Sequence, residues 1–200
     1  MPKITALRQT ERRHRILDAA ERCFARYGFR GATMAQICAD AGVSAGGAYL
    51  YFRSKEELIA GIAERDRKKL AEQLAALAGE PDLTAALGRL GEHYAVDEPQ
   101  HKRRMCVEIG LEATRNAAVG EIHRAFDTFA HESLAGLFQR AAAEGRIRPD
   151  LDPVTLARVI ILLGDGMFWR RAVDPEFDAR KLMPAIVAIV GGLLNQPADA

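Results

Sequence analysis

The 200-residue sequence has few of the features that mark a secreted, metal-binding or membrane protein. Its three cysteines, Cys23, Cys38 and Cys106, are too widely spaced for a CxxC pair or a zinc framework, and such sparse thiols suit a reducing cytoplasm. The first fifteen residues carry five basic side chains and no apolar run, unlike a secretory signal. The most apolar stretch, Leu182–Leu194, is too short to cross a bilayer and contains a proline. We therefore expect a cytoplasmic protein that does not associate with membranes.

Catalytic motifs are also lacking, since the sequence contains no GxSxG, Walker or GxGxxG segment. Glu98 and His101 match half of a carboxylate-bridged iron motif, but the match occurs once and straddles a proline. The carboxylates of Glu108 and Glu112 lie one helical turn apart, a spacing that a solvated or salt-bridged helix face explains better than acid–base chemistry. We expect no enzyme activity, no metal and no cofactor.

Strand signals are nearly absent, whereas alanine, a strong helix former, is the commonest residue with 35 copies. Apolar residues recur at helical spacing along almost the whole chain, and capping residues and glycines divide it into about nine helices. Thr33 with Gln36, and Asp152 with Pro153, are two of the predicted helix starts. The predicted fold class is all-α.

The most informative pattern lies in Thr33–Lys55. It predicts two short helices joined by the tripeptide Ala41–Val43, whose glycine allows a sharp turn, with Ser44 as a strong N-cap for the second helix. This arrangement is a helix-turn-helix. The second of these helices contains no acidic residue that would repel phosphate.

This stretch resembles a known family. The residues Ala41-Gly42-Val43-Ser44, Gly46, Tyr49, Tyr51-Phe52 and Ser54-Lys55-Glu56-Glu57-Leu58 are similar to the N-terminal domain of TetR family transcriptional regulators. A weaker resemblance, over Asp165–Ala172 and Asp174–Asp178, is to the end of a ligand-binding domain found in such regulators. The resemblance implies a three-helix DNA-binding domain over residues 1–55 and a helical ligand-binding and dimerisation domain over residues 56–200.

The resemblance further implies a homodimer that binds a palindromic operator in double-stranded DNA, with the third helix of each copy in the major groove. The implied backbone contacts are Thr33, Ser44, Tyr49, Tyr51 and Lys55. Arg30, or an arginine of the N-terminal arm (Arg8, Arg12 or Arg13), is expected to supply a further contact. Base reading falls to Ala45, Gly46, Gly47 and Leu50, where small or apolar residues depart from the usual family pattern. We therefore expect thymine-methyl contacts and shape readout rather than bidentate hydrogen bonds. Tyr49→Ala or Lys55→Ala is expected to abolish operator binding with the fold intact.

The C-terminal part carries the predicted dimer interface and effector site. The eighth predicted helix is apolar on all sides, so we expect it to pair with the ninth and with their copies in a four-helix bundle. The residues predicted for this interface are Val159, Leu163, Ile186, Ile189, Val190 and Leu193. The resemblance implies a cavity for a small, mostly apolar effector, lined by Tyr94, Met105, Phe126, Phe129, Phe168 and Trp169, although plain core packing also accounts for each of these residues taken singly. Effector binding is expected to stabilise a state in which the two DNA-binding domains of the dimer lie at the wrong separation, so that DNA is released.

The net charge of +1 conceals two opposed parts of the chain. Residues 1–55 hold ten basic and four acidic residues, whereas residues 56–200 hold 18 and 23. A basic N-terminal part favours DNA as the partner. The predicted function is a ligand-responsive transcriptional repressor. Two alternatives stay open: an activator or architectural DNA binder without an effector, and a helical enzyme or metal-binding protein with a vestigial helix-turn-helix.

Overall fold

The computed structural model describes residues 6–174 and 176–195. Over these ranges it contains nine α-helices and one π-helical turn, which confirms the predicted all-α class. The helices are α1 (Ala6–Gly31), α2 (Met34–Ala41), α3 (Ala45–Tyr49), α4 (Lys55–Ala78), α5 (Leu83–Glu92), α6 (Gln100–Ala113), α7 (Ala117–Ala143), α8 (Pro153–Val173) and α9 (Ala179–Leu194). The π-helical turn, His93–Asp97, directly follows α5.

Local capping decides the start of several helices, as the sequence predicts. At α2, Thr33 Oγ1 accepts a hydrogen bond from the Gln36 amide at 3.2 Å, and Gln36 Oε1 accepts one from the Thr33 amide at 2.8 Å. At α8, the Asp152 carboxylate accepts from two backbone amides, and Pro153 occupies the first turn. Both predicted caps are confirmed because capping depends on residues within three positions of each other.

The end of α1 is shaped by Gly28, whose φ of 70° lies in the left-handed region that favours glycine. This residue bends the chain, and the last turn of α1 leads into the Thr33 cap of α2. Arg22 Nε donates to Asp40 Oδ2 at 2.9 Å and so ties α1 to α2. The short helix that precedes the helix-turn-helix corner is therefore fixed at both its ends.

The chain divides into two compact units. The first contains the chain up to Arg65 together with Gln100–Arg124, and the second contains Asp66–Pro99 together with the chain from Ala125 onward. Packing thus places α6 with the N-terminal helices, although the predicted functional boundary after residue 55 stays a prediction. The largest fully buried side chains are Phe24, Ile16, Leu17, Ile37 and Leu58 in the first core, and Phe138, Leu137, Leu156 and Leu194 in the second.

All three cysteines are free thiols in or against the first core. Burial raises the pKa of the Cys23 thiol, and the neighbouring Asp40 carboxylate raises it further. Such thiols act as small apolar core residues. The described part of the chain contains no cluster of three or more His, Cys, Asp or Glu side chains placed to hold a metal ion. None of the described helices is long and apolar enough to span a membrane.

Candidate nucleic-acid interface

The predicted helix-turn-helix forms around Gly42. This residue has a φ of 63° and a ψ of 38°, which is the left-handed conformation that ends α2. Its amide donates to Ala39 O at 3.2 Å, and the Val43 amide donates to Cys38 O at 3.1 Å. Val43 packs against the first core. The turn therefore redirects the chain sharply into α3 with its backbone groups hydrogen-bonded.

Helix α3 is anchored at one side and open on the other. Ser44 caps it by accepting a hydrogen bond from the Gly47 amide at 3.1 Å. Ala48 is fully buried, and Phe52, just beyond the helix, is also buried in the first core. By contrast, Tyr49 is 48% exposed and Leu50 is 83% exposed. The core thus holds α3 by one face and leaves its other face to a partner.

Most residues predicted to contact DNA are accessible in the first unit. Arg30, Thr33, Ser44, Ala45, Gly46, Tyr49 and Leu50 are exposed, whereas Gly47, Tyr51 and Lys55 are half-buried. Tyr51 packs against the first core. Sequence reasoning gave no role to Arg53, which is exposed beside them and lies only two positions before Lys55. The contribution of each residue to DNA binding stays a prediction.

Lys55 has a structural role that the sequence did not indicate. Its ammonium Nζ donates to Phe29 O at 2.5 Å and to Arg30 O at 3.3 Å, and it lies 4.6 Å from the centroid of the Phe29 ring. These carbonyl groups belong to the last turn of α1, where a helix leaves its carbonyls without intrahelical partners and favours a positive charge. Lys55 therefore joins the start of α4 to the end of α1.

Arg30 is likewise engaged within the first unit. Its Nε lies 3.3 Å from Glu112 Oε2, and Arg115 Nε donates to the same carboxylate oxygen at 2.8 Å. Burial raises the pKa of the Glu112 carboxyl, but the hydrogen bonds and charges of Arg115 and Arg30 outweigh it, so the pKa lies below its usual value. The Arg30 side chain nevertheless stays 68% exposed. The salt-bridged interpretation of Glu112 is confirmed, with α6 holding the segment before α2.

Comparison with known proteins agrees with this geometry. Residues 16–62 match the bacterial regulatory proteins of the tetR family, and residues 85–194 match the C-terminal domain of BetI-type transcriptional repressors. The transcriptional repressor AcnR of Corynebacterium jeikeium is 30% identical over 86% of this chain and 87% of its own. The chain belongs to the TetR family of bacterial transcriptional regulators.

Other members extend the likeness of this TetR-family chain. The transcriptional regulator UidR of Escherichia coli K12 is 28% identical over 92% of this chain and 93% of its own. The structure of Salmonella enterica GusR has a TM-score of 0.78 and 29% identity, and the match covers 96% of this chain and 99% of GusR. The structure of SmeT with triclosan has a TM-score of 0.79 at 23% identity, covers 94% of this chain and 93% of SmeT, and shows a shared fold.

Membership of the TetR family settles several sequence-based predictions. The protein is a helix-turn-helix DNA-binding regulator, as expected from Thr33–Lys55. The family consists of transcriptional regulators, so the alternative of an enzyme with a vestigial helix-turn-helix is set aside. The region of the weaker resemblance near the C-terminus lies within the BetI-type match, which shows the C-terminal domain of a transcriptional repressor there.

The six residues predicted to line an effector cavity are distributed over both units of this TetR-family regulator. Tyr94, Phe126, Phe129 and Phe168 are half-buried in the second unit, where Trp169 is 54% exposed. Met105 instead lies in the first core, 3% exposed, together with Ile109. Which of these residues line an effector site stays a prediction.

Polar groups surround Tyr94 at the π-helical turn. Its hydroxyl donates to Gln73 Oε1 at 2.6 Å, and burial, followed by the charges of Glu98 and Asp66, raises the pKa of Tyr94 to about 12. Lys69 Nζ lies 2.9 Å from His93 Nε2 and 3.3 Å from Glu98 Oε1. Since an ammonium group only donates, His93 Nε2 is the acceptor. The turn thus combines an aromatic ring with charged groups that the sequence-based cavity did not include.

The predicted dimer residues lie mostly inward on α8 and α9. Val190 is 7% exposed within the second core, so it has little surface to offer a second copy. Leu163, Ile186 and Leu193 pack against the same core and Val159 is half-buried, whereas Ile189 is 51% exposed. Besides Val154 and Val173, each 49% exposed, the exposed large apolar residues of α8 and α9 that sequence reasoning did not name are Leu162, 67% exposed, and Leu182, 42% exposed. Together with Trp169 and Ile189 they form pairs seven residues apart on α8 and on α9.

Proposed function

We propose that this chain is a cytoplasmic repressor that binds a palindromic operator as a homodimer and is released by a small, mostly apolar effector. The observation that carries the proposal is the open face of α3, which the first core holds by Ala48 and Phe52 while Tyr49 and Leu50 point to solvent. Backbone contact is assigned to the exposed hydroxyl groups around it, and DNA binding to residues 1–55. AcnR, described as a repressor, supports repression over activation.

The homodimer is supported by the apolar residues that α8 and α9 expose. Leu162 and Trp169 lie two helical turns apart on α8, and Leu182 and Ile189 lie two turns apart on α9, all more than two-fifths exposed. Gly166 and Gly192 are exposed on the same two helices and allow close approach of another backbone. A monomer would leave this apolar surface in water, and a two-fold pair of α8 and α9 would bury it. We assign dimerisation and ligand binding to residues 56–200.

The effector is assigned to the second unit. Phe126, Phe129 and Phe168 supply apolar surface there, and Tyr94 supplies a hydroxyl, which donates to Gln73 Oε1. Arg67 lies over the Phe129 ring at 4.6 Å and can accompany a polar end of the ligand. SmeT, which shares the fold, has been solved with triclosan, a small and mostly apolar molecule.

Operator binding should depend on the Tyr49 hydroxyl. A duplex enriched from random DNA by the purified protein is expected to bind Tyr49→Phe roughly tenfold more weakly, the effect of losing a hydrogen bond to a charged group. Fluorescence anisotropy measures this affinity at several salt concentrations. The slope of log affinity against log salt concentration should be about −0.9 for each phosphate that the protein neutralises. Tyr27→Phe is the matched control, since Tyr27 is also exposed but lies on α1 outside the helix-turn-helix. Equal losses in both variants, or no enriched duplex, contradict the proposal.

Effector binding should oppose operator binding. Triclosan and a panel of related small aromatic compounds are titrated against the protein, with the single tryptophan, Trp169, reporting on the second unit by its fluorescence. An effector is expected to raise the melting temperature of the free protein and to lower its operator affinity. The operator must then weaken effector binding by the same factor. A compound that binds the second unit tightly and leaves operator affinity unchanged counts against the proposed release.

A further inference from the structure

Leu50 is the most exposed of the large apolar residues in the described chain. It lies directly after α3, in a right-handed helical conformation with a φ of −68°. A single exposed leucine is unremarkable on most protein surfaces. This one, however, lies on the element by which a DNA-binding helix-turn-helix meets its partner, beside the exposed ring of Tyr49. The surface that would bury Leu50 is therefore the floor of the DNA major groove, which is formed by the base edges.

The remainder of the open face of α3 has almost no side chains. A Cβ added at Gly46 would meet no atom of the described chain within 4 Å, and one added at Gly47 would meet only Ser44 Oγ, at 3.1 Å. Neither glycine has a positive φ. The fold therefore does not require a glycine at position 46, and the bare backbone lets the groove approach until Leu50 makes contact.

The major groove offers an apolar side chain one chemical partner. Base edges there carry hydrogen-bond donors and acceptors, and the only apolar group is the C5-methyl of thymine. We propose that Leu50 reads a C5-methyl group of an operator pyrimidine, so that binding responds alike to thymine and to 5-methylcytosine; this rests on the proposed operator binding. C5 methylation of a cytosine under Leu50 accordingly strengthens binding.

This form of readout differs from hydrogen-bonded recognition in a measurable way. Leucine has no donor or acceptor, so it does not distinguish the O4 of thymine from the N4 amine of cytosine by a hydrogen bond. Thymine and uracil differ only by the methyl group, and so do 5-methylcytosine and cytosine. The ratio of affinities within each pair should therefore be the same at the position that Leu50 contacts.

The test uses the duplex enriched by the wild-type protein. Each thymine is replaced by uracil in turn, in both half-sites together, and the base pair found sensitive is then replaced by cytosine–guanine with and without C5 methylation. Both methyl-bearing duplexes are expected to bind roughly fourfold more tightly per half-site than their partners, the factor that burial of one methyl group supplies. Leu50→Ala should bring both ratios close to one, and Leu50→Met should preserve them.

Leu111→Ala is the matched control, because Leu111 is 52% exposed on α6 of the same unit and belongs to no predicted DNA contact. It should retain the full methyl ratios, and thermal unfolding should show that each variant is folded. A specifically bound duplex in which every uracil substitution is neutral overturns the inference while the proposed function stands. Methyl ratios that persist in Leu50→Ala assign the reading to another residue and overturn it too. Absence of any enriched duplex overturns both.

Discussion

Replacing Leu162 and Ile189 together with glutamate is expected to leave the regulator monomeric and to weaken operator binding roughly a hundredfold or more, the gain that linking two binding modules provides. The two side chains are 67% and 51% exposed, so neither substitution opens a cavity in the protomer's own core. In a two-fold dimer each copy would add two carboxylates to a surface that must lose its water. Like charges in such a surface strongly disfavour association.

The two positions are chosen because the protomer itself does not need them. Val190 and Leu163 also lie on α9 and α8, but they pack in or against the second core, so charge there would unfold the unit rather than separate the copies. Light scattering after size-exclusion chromatography gives the mass, and anisotropy gives the operator affinity. Leu111→Glu, on α6 of the first unit, is the control for charge at an exposed leucine and should stay dimeric.

Two outcomes would contradict this prediction. A doubly substituted protein that still elutes as a dimer would place the interface elsewhere than on α8 and α9. A monomer that keeps the wild-type operator affinity would show that one helix-turn-helix is sufficient for operator binding. Circular dichroism and thermal unfolding are measured alongside, because the mass and the operator affinity test the interface only if the substituted protein is folded.

The sequence predicts the helix-turn-helix of α2 and α3 well because the residues that determine it are close together in the chain. The capping box of Thr33 and Gln36, the left-handed turn at Gly42 and the Ser44 cap each involve residues within four positions. Such short-range contacts depend on residue type and spacing alone, so periodicity and capping rules are enough to place them. The family resemblance carries the same residues, and the matched region contains all of them.

The faces of α8 and α9 were harder to predict for a physical reason. Helix α8 is apolar on nearly every side. Its sequence therefore has no polar face from which to tell the side that packs in the core from the side that would meet a partner. The sequence therefore favoured Val159 and Leu163, which are half-buried in the protomer, whereas Leu162 and Trp169 are exposed. Only the packing of α8 within the second unit decides this. Which of them lie in the interface stays a prediction. The π-helical turn after α5 was missed too, since it changes the register of the chain without a distinctive residue pattern.

Polar contacts between residues far apart in the chain could not be predicted from the sequence either. Lys55 donates to a carbonyl 26 positions earlier, and Arg30 pairs with a carboxylate 82 positions later. No spacing rule connects residues that far apart, so the sequence indicated neither contact. Lys55 was assigned to the DNA backbone by the family resemblance, and Arg30 was named as a further DNA contact. For Lys55 the structure changes what its removal is expected to do.

Lys55→Met is expected to lower the free energy of unfolding by about 2 kcal/mol, the size of a hydrogen bond to a charged group. Methionine keeps most of the apolar stem and removes the ammonium that bonds Phe29 O and Arg30 O. Those carbonyls lie in the last turn of α1, directly before the Thr33 cap. Loss of the ammonium therefore destabilises the helix-turn-helix where α1 leads into α2. Operator affinity should fall as a consequence. The earlier expectation of lost binding with an intact fold is thereby revised.

Chemical denaturation separates this role from a contact with phosphate. Arg53→Met is the matched control, because it removes the same charge from an exposed side chain two positions away. It should change the unfolding free energy by less than about 0.5 kcal/mol, as surface substitutions usually do. If Lys55 acted on phosphate alone, Lys55→Met would share that unchanged stability and would reduce the slope of log affinity against log salt by about 0.9. A loss of stability with an unchanged slope establishes instead that Lys55 supports DNA binding by holding α1 to α4.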